Sequence, residues 1–395
     1  MRVTEATGQQ QFLTAVNSLE SNINQTQNQI SSGDSFTTAS QDPVAAGSVN
    51  NFDQALAQSQ QFASNGSSAQ SNLNTESTAL TQVTNQLQSL RDLTLEANSG
   101  TTETSGLSAI ATQMVQIQNS LLSLANTQNG NGAFIFSGFA TQTQPFALSA
   151  SGATYSGDQG VQQVQIAAGQ TVAQGDNGDA VFNQIKTGNG TFTVTANADN
   201  TGSGLIGATT VTNAADYDGG TFSIDFTAPG TYNVVNSGGT VVSNGTYTSG
   251  SSISFDGLQI ALSGTPAAGD SFTVAPSTNQ SIFTTVQSLV TTLQTGGLSS
   301  TALSNVITGQ INNIDQALNN VSNVQTSVGG RLNAITTQQS VQTSQQTQLQ
   351  TSISSLQGLN VASAISQLDQ ENTTLQAALQ AFSMTQGLTL FKFLQ

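Results

Sequence analysis

The strongest constraint on this chain is where its five prolines fall. Pro43, Pro145, Pro229, Pro266 and Pro276 leave residues 44–144 and 277–395 free of the residue that breaks helix interiors. Apolar residues recur there, and in the first thirty residues, at intervals of three and four, as in a coiled-coil seam. Phe12, Val16, Leu19, Ile23 and Ile30 form one narrow stripe, which stops at Ser31-Ser32-Gly33. Asp42-Pro43 then supplies an N-cap followed by proline at the first helical position. Val49, Phe52, Leu56, Leu73, Leu80, Val83, Leu87 and Leu90 continue from it. Unbroken, that helix spans about 55 residues, or ~80 Å, with Asn65-Gly66 the place where it could be interrupted. A third stripe runs through Leu107, Ile110, Met114, Ile117, Leu121 and Leu124.

Between Pro145 and Pro276 the pattern becomes β. Val161–Ile166, Thr191–Thr195, Thr221–Phe226, Thr231–Val235, Ser252–Phe255 and Ser271–Val274 are strand-like, punctuated by Gly, Asn and Asp. Such punctuation predicts an antiparallel sandwich or barrel. After Pro276 the helical spacing resumes at Ile307, Ile311, Ile314, Leu318, Val321, Val328, Leu332 and Ile335, with Gln325 at one core position. Leu349, Ile353 and Leu356 precede a break at Gly358; Ile365, Leu368, Leu375, Leu379 and Phe382 follow it. The last stretch is apolar: Leu388, Leu390, Phe391, Phe393 and Leu394.

The fold class expected is therefore α+β and multidomain, a long coiled-coil rod from both chain ends with a central all-β insert. The divisions expected are 1–42 with 354–395 as a terminal coiled coil, 43–145 with 277–353 as an α-helical rod, and 146–276 as an outer β domain. A single stripe cannot be buried alone, so the two arms are expected to pair with each other. We expect the terminal segments to lack order in a single molecule and to close on assembly. The assembly interface would then be Phe12, Val16, Leu19, Ile23, Ile30, Leu375, Leu379, Phe382, Leu388, Leu390, Phe391, Phe393 and Leu394.

Composition narrows the chemistry. The 395 residues include no Cys and no His, which removes zinc fingers, thiolate clusters, haem ligation and nucleophiles that rely on either residue. Only Arg2, Arg91, Lys186, Arg331 and Lys392 are basic, against 21 acids, for a net charge of −16. That set cannot neutralise a run of phosphates, and it does not attract anionic lipid. No apolar run reaches the ~18 residues of a membrane span, and the N-terminus lacks a basic region followed by an apolar core. Asp176-Asn177-Gly178-Asp179 and Asp216-Tyr217-Asp218-Gly219 offer oxygen ligands, but neither has EF-hand spacing. No pattern selects a pair of acids for glycoside hydrolysis, and no Walker loop is present. The expectation is a non-enzyme with no cofactor and no metal. Charged residues are only 7% of the chain, so the positions flanking the stripes are Gln, Asn, Ser and Thr, which many copies can pack together without desolvating ions.

Several blocks carry a resemblance. Gln29-Ile30-Ser31-Ser32-Gly33, followed by Ser40-Gln41-Asp42-Pro43-Val44-Ala45-Ala46, resembles the N-terminal signature of the flagellin-like family. Its Asp-Pro-Val-Ala-Ala form looks like the hook-associated branch that makes the hook–filament junction. Asn131–Gly138, Tyr155–Gly160, Val328–Asn333 and Leu388–Leu394 are similar to further blocks of that family, in the same order. Asp34 and Ser35 stand where the family usually carries basic residues, and Gln41 where it commonly has Asp. The resemblance implies a bacterial flagellar structural protein, exported unfolded by the type III route and extracellular. It implies as partners a hook-associated junction protein on the hook side, flagellin, further copies in a ring, and an export chaperone before secretion. The alternatives are a flagellin filament subunit, or a surface adhesin using the β insert; an enzyme ranks third.

Overall fold

The computed structural model describes residues 2–99 and 103–391, with side chains over 6–99 and 103–384. The chain divides into two compact units, residues 1–64 with 338–395, and residues 65–337.

In the first unit, α1 (Arg2–Ser32) is antiparallel to α6 (Val361–Phe391): Phe12 stacks on Phe382 near one end and Thr26 meets Glu371 further along. Gly33 ends α1 by taking φ +80°, open to glycine without cost. The loop after it pairs with the loop before α6. Ser35 N–H donates to Gln357 O at 2.6 Å, and Leu359 N–H to Gly33 O at 2.9 Å. The start of α2 (Pro43–Ala97) is capped as its sequence predicts, with Asp42 Oδ1 accepting from Val44 N–H at 3.2 Å and Ala45 N–H at 2.9 Å. Phe36, Ala46 and Val49 bury a small core against Ala45 and Ile353 of α5 (Ser300–Gln357).

The second unit holds most of the buried side chains. α2 continues through Asn65-Gly66 without interruption. Its residues Leu73, Leu80, Val83, Leu87 and Leu90 meet Ile110, Met114 and Leu121 of α3 (Thr104–Ala125). Val286, Leu289 and Leu293 of α4 (Ile282–Thr295) and Ile307, Ile314, Val321, Val328 and Ile335 of α5 complete that core. The inner α5 position near residue 325 is taken by Val324; Gln325 is half-buried and donates to Thr81 Oγ1 at 3.4 Å.

The strands run β1 (Phe146–Ser149), β2 (Gly152–Tyr155), β3 (Gln163–Ala167), β4 (Gln170–Ala173), a π-helical turn (Asp179–Asn183), β5 (Ile185–Lys186) and β6 (Phe192–Ala196). Then come β7 (Leu205–Val211), β8 (Phe222–Ala228), β9 (Thr231–Asn236), β10 (Val241–Thr246), β11 (Ser252–Phe255), β12 (Leu258–Ser263), β13 (Ser271–Pro276) and β14 (Asn279–Gln280). All pairings are antiparallel. A five-stranded sheet of order β10-β9-β8-β13-β6 and a three-stranded sheet of order β11-β12-β7 enclose a second core. Phe192, Phe222, Phe226, Phe255 and Phe272 fill it.

One expected division needs correcting. Residues 146–186 read as part of the outer β domain, but their two hairpins and π-helical turn pack into the helical core instead. Phe146, Ile166, Val172, Val181, Phe182 and Ile185 are all in that core. Phe182 crosses Phe136 at 5.2 Å and Phe146 at 5.4 Å, both edge to face, and approaches Phe283 at 6.1 Å. Two of the recognised sequence blocks interlock beside it. Tyr155 O–H donates to Asp158 O at 2.7 Å and to Phe136 O at 3.1 Å, and burial pushes its phenol up to about 12. Gly138, at φ +70°, lies so close to Asp158 that an added Cβ would fall 2.3 Å from its carboxylate.

Phe182 has no exposed surface and sits at the centre of this aromatic group. Phe182→Ala should cost about 3–5 kcal/mol of stability. Urea unfolding followed by circular dichroism reads that loss as a lower midpoint.

Candidate assembly interface

The first unit brings most of the expected interface residues onto one seam. Along α1 the inward positions are Phe12, Val16, Leu19, Ile23, Thr26 and Ile30, alternating four and three. Ile23 and Thr26 are buried and the rest half-buried. Along α6 they are Ala364, Leu368, Glu371, Leu375, Ala378 and Phe382, again alternating. The Phe12 and Phe382 rings are parallel, 4.1 Å between centroids. Further along, the seam turns polar: Thr26 Oγ1 donates to Glu371 Oε2 at 3.2 Å, and Gln367 Nε2 to Glu371 Oε1 at 2.9 Å.

Leu379 departs from expectation. Ala378 takes the inner position and leaves Leu379 49% exposed. Ile365, at 47%, is turned out in the same way, and Leu13 on α1 is 56% exposed. The two-helix seam therefore carries unpartnered apolar side chains beside it. Leu388, Leu390 and Phe391 belong to the α6 backbone, but their side chains are not among those described; Phe393 and Leu394 lie outside the described residues. The terminal segments form α1 and α6, and each supplies the stripe the other needs.

A second polar constellation lies in the other unit. Leu73 and Leu80 on α2 are seven residues apart, and the inner position between them is Glu76, 1% exposed. Its Oε1 accepts from Asp176 N–H at 3.1 Å; its Oε2 has no hydrogen-bond partner. Asp176 is ion-paired with Arg331 of α5, whose Nη1 is buried without a partner. Burial, reinforced by repulsion from Asp176, pushes the Glu76 carboxyl well above the usual range, against the pull of Arg331. The signal for this residue was available in the sequence as a seven-residue gap in an otherwise regular stripe.

The acidic loops considered for calcium serve as turns. Asp179 accepts from the side-chain amides of Gln159, Asn183 and Gln184, Asp216 from Asn213, and Asp218 from Gly220 N–H. Among the described residues, no group of three or more acids converges as a metal site would require, and no helix is long and apolar enough to cross a membrane.

A helical pair built from the two chain ends, a longer helical core and an inserted double-sheet β domain define a flagellin-like fold. Residues 3–141 match the model of the bacterial flagellin N-terminal helical region, and residues 194–276 that of the D2-like domain of flagellar hook-associated protein 1. The second match coincides with the separate β core. The FlgL structure from Xanthomonas campestris is 31% identical, with a TM-score of 0.72, over 77% of this chain and 99% of that one. The flagellar junction protein FlgL from Legionella pneumophila is 29% identical, TM-score 0.71, over 79% and 100%. Flagellar hook-associated protein 3 of Salmonella typhimurium is 29% identical over 157 residues, 40% of this chain and 49% of the relative. The chain thus spans about half the length of the curated relatives it matches. It belongs to the flagellar hook-associated protein 3 (FlgL) family.

Glu76 makes folding pH-dependent with a definite sign. Its folded-state pKa is raised, so its contribution is complete below the ordinary carboxylate range and is lost as pH climbs through the folded value. Glu76→Gln should track the parent at about pH 4 and exceed it in stability at about pH 9. Denaturant midpoints of the two proteins across that range read the difference.

Proposed function

We propose that this chain is a structural component of the bacterial flagellum, placed where the hook meets the filament, and that it works by polymerising through its terminal helices. The observation that carries this is the α1–α6 seam. It joins the two ends of the chain through Phe12 and Phe382, yet leaves Leu13, Ile365 and Leu379 uncovered beside it. A two-helix pair with a second apolar flank is an incomplete core. Neighbouring copies or related subunits would cover that flank, and a surface of Gln, Ser and Thr lets them approach without desolvating charges.

As partners we propose a hook-associated protein on the hook side, flagellin on the filament side, further copies of this chain in a ring, and a chaperone that holds the apolar C-terminal arm before export. Location outside the cell, reached unfolded through the flagellar type III apparatus, belongs to the same proposal. So does the assignment of residues 1–42 and 354–395 to assembly and 43–145 with 277–353 to a rod.

Removing residues 375–395 takes away Leu375, Phe382 and the apolar tail. We expect the truncated protein to remain soluble, keep the folded second unit, and fail to enter the junction, as read by immunogold labelling of flagella and by swimming. Normal incorporation of the truncated chain would overturn the assignment.

A further inference from the structure

The inserted β domain has two free strand edges on one sheet, and they differ in shape. At one end β6 pairs with β13 alone; at the other β10 pairs with β9 alone. Asn197 N–H donates to Ser271 O, and Ser277 N–H to Thr191 O, so the odd-numbered residues of β6 carry the ladder with β13. The N–H and C=O groups of Val194 and Ala196 therefore point to the free edge.

That edge opens into a cleft of about 440 Å³, between β6, β7 and the first turns of α5. Four backbone groups beside it are already capped by amide side chains acting as pieces of strand. Asn189 Oδ1 accepts from Phe192 N–H at 2.9 Å, and its Nδ2 donates to Thr209 O at 3.2 Å. Asn305 of α5 accepts from Ile206 N–H at 2.8 Å and donates to Gly204 O at 2.9 Å. Val194 and Ala196, about 7 Å apart, receive no such cap. The cleft carries no charged side chain. What fits it is an extended, uncharged backbone.

The opposite edge of the same sheet has that chemistry. β10, Val-Val-Ser-Asn-Gly-Thr, carries no charge, and Val241 and Val242 are 46% and 40% exposed. We propose that the cleft along β6 receives strand β10 of a second copy of this chain, continuing the five-stranded sheet from one molecule into the next. Receiver and donor are different edges, so the contact is heterologous and propagates around a ring or along an array. This deepens the reading that copies assemble side by side, but it uses a surface separate from the helical seam, so each can fail without the other.

The test uses the full chain. Ala196→Pro removes a free-edge donor while sparing the ladder to β13, and Val242→Lys places a charge on the donor strand. Sedimentation should show the parent self-associating with rising concentration and each variant doing so at least about tenfold more weakly. An equimolar mixture of the two variants keeps one intact receiver and one intact donor, so it should form dimers and nothing larger. Amide exchange at Val194 and Ala196 should slow in the associated parent. A parent that stays monomeric at its solubility limit, variants that associate as the parent does, or a mixture no better than its components would overturn the proposal.

Discussion

The helices at the two chain ends, and α2 with α5, carry stripes too narrow to be buried alone, and the partner of each lies far away in the sequence. Thr26 meets Glu371 across 345 residues, Ser59 meets Gln346 across 287, and Arg91 meets Asp315, at 2.6 Å, across 224. Everything between them is an insertion into a pairing that only the two arms together can make. Such non-local contacts close large loops before they gain anything, so folding is expected to be slow and the separated arms sticky. A chain that must also stay open to neighbours gains from the same arrangement. The α1–α6 seam buries enough to define a register while leaving Leu13, Ile365 and Leu379 uncovered.

Register in these seams is set by polar layers more than by charge pairs along the flanks. The apolar spacing skips one inner position between Ile23 and Ile30, another between Leu368 and Leu375, and another between Leu73 and Leu80. The first two skipped residues, Thr26 and Glu371, find each other. The third, Glu76, finds the backbone of Asp176, which is held in turn by Arg331. A slip of either pair by one turn would leave a buried carboxylate or hydroxyl against hydrocarbon, which is costlier than the layer is stabilising. The chain thus spends rare acids at positions where one group rejects many misalignments.

Much of this was legible in the residues. The stripes predicted the helices, Asp42-Pro43 the start of α2, and Gly33 and Gly358 the breaks beside α1 and α6. Ser252–Phe255 is a strand over its whole predicted length, and the other predicted strands agree within a few residues. Two things were not legible. Alternation reveals a strand but not what covers it, so the hairpins before residue 187 read like the rest of the insert although Phe146 and Phe182 are buried against helices. A stripe of period 3.5 also leaves the choice between neighbours open: Leu379 looked like the inner residue, whereas the phase fixed by Leu375 and Phe382 selects Ala378.

With five basic residues in the whole chain, side-chain amides take over the work that ion pairs do elsewhere. An amide offers both a donor and an acceptor, so it can replace a peptide group at a sheet edge, as an ammonium or carboxylate cannot. Asn126 holds both the N–H and C=O of Phe146 at 2.9 Å, Asn305 caps Ile206 and Gly204, and Asn320 donates to the carbonyls of Ala180 and Val181. In each case an Asn, at the end of α3 or along α5, fixes a strand or turn of the inserted segment. These joints do not titrate and are barely screened by salt. Beside these neutral joints Glu76 stands out as a buried, titrating carboxyl.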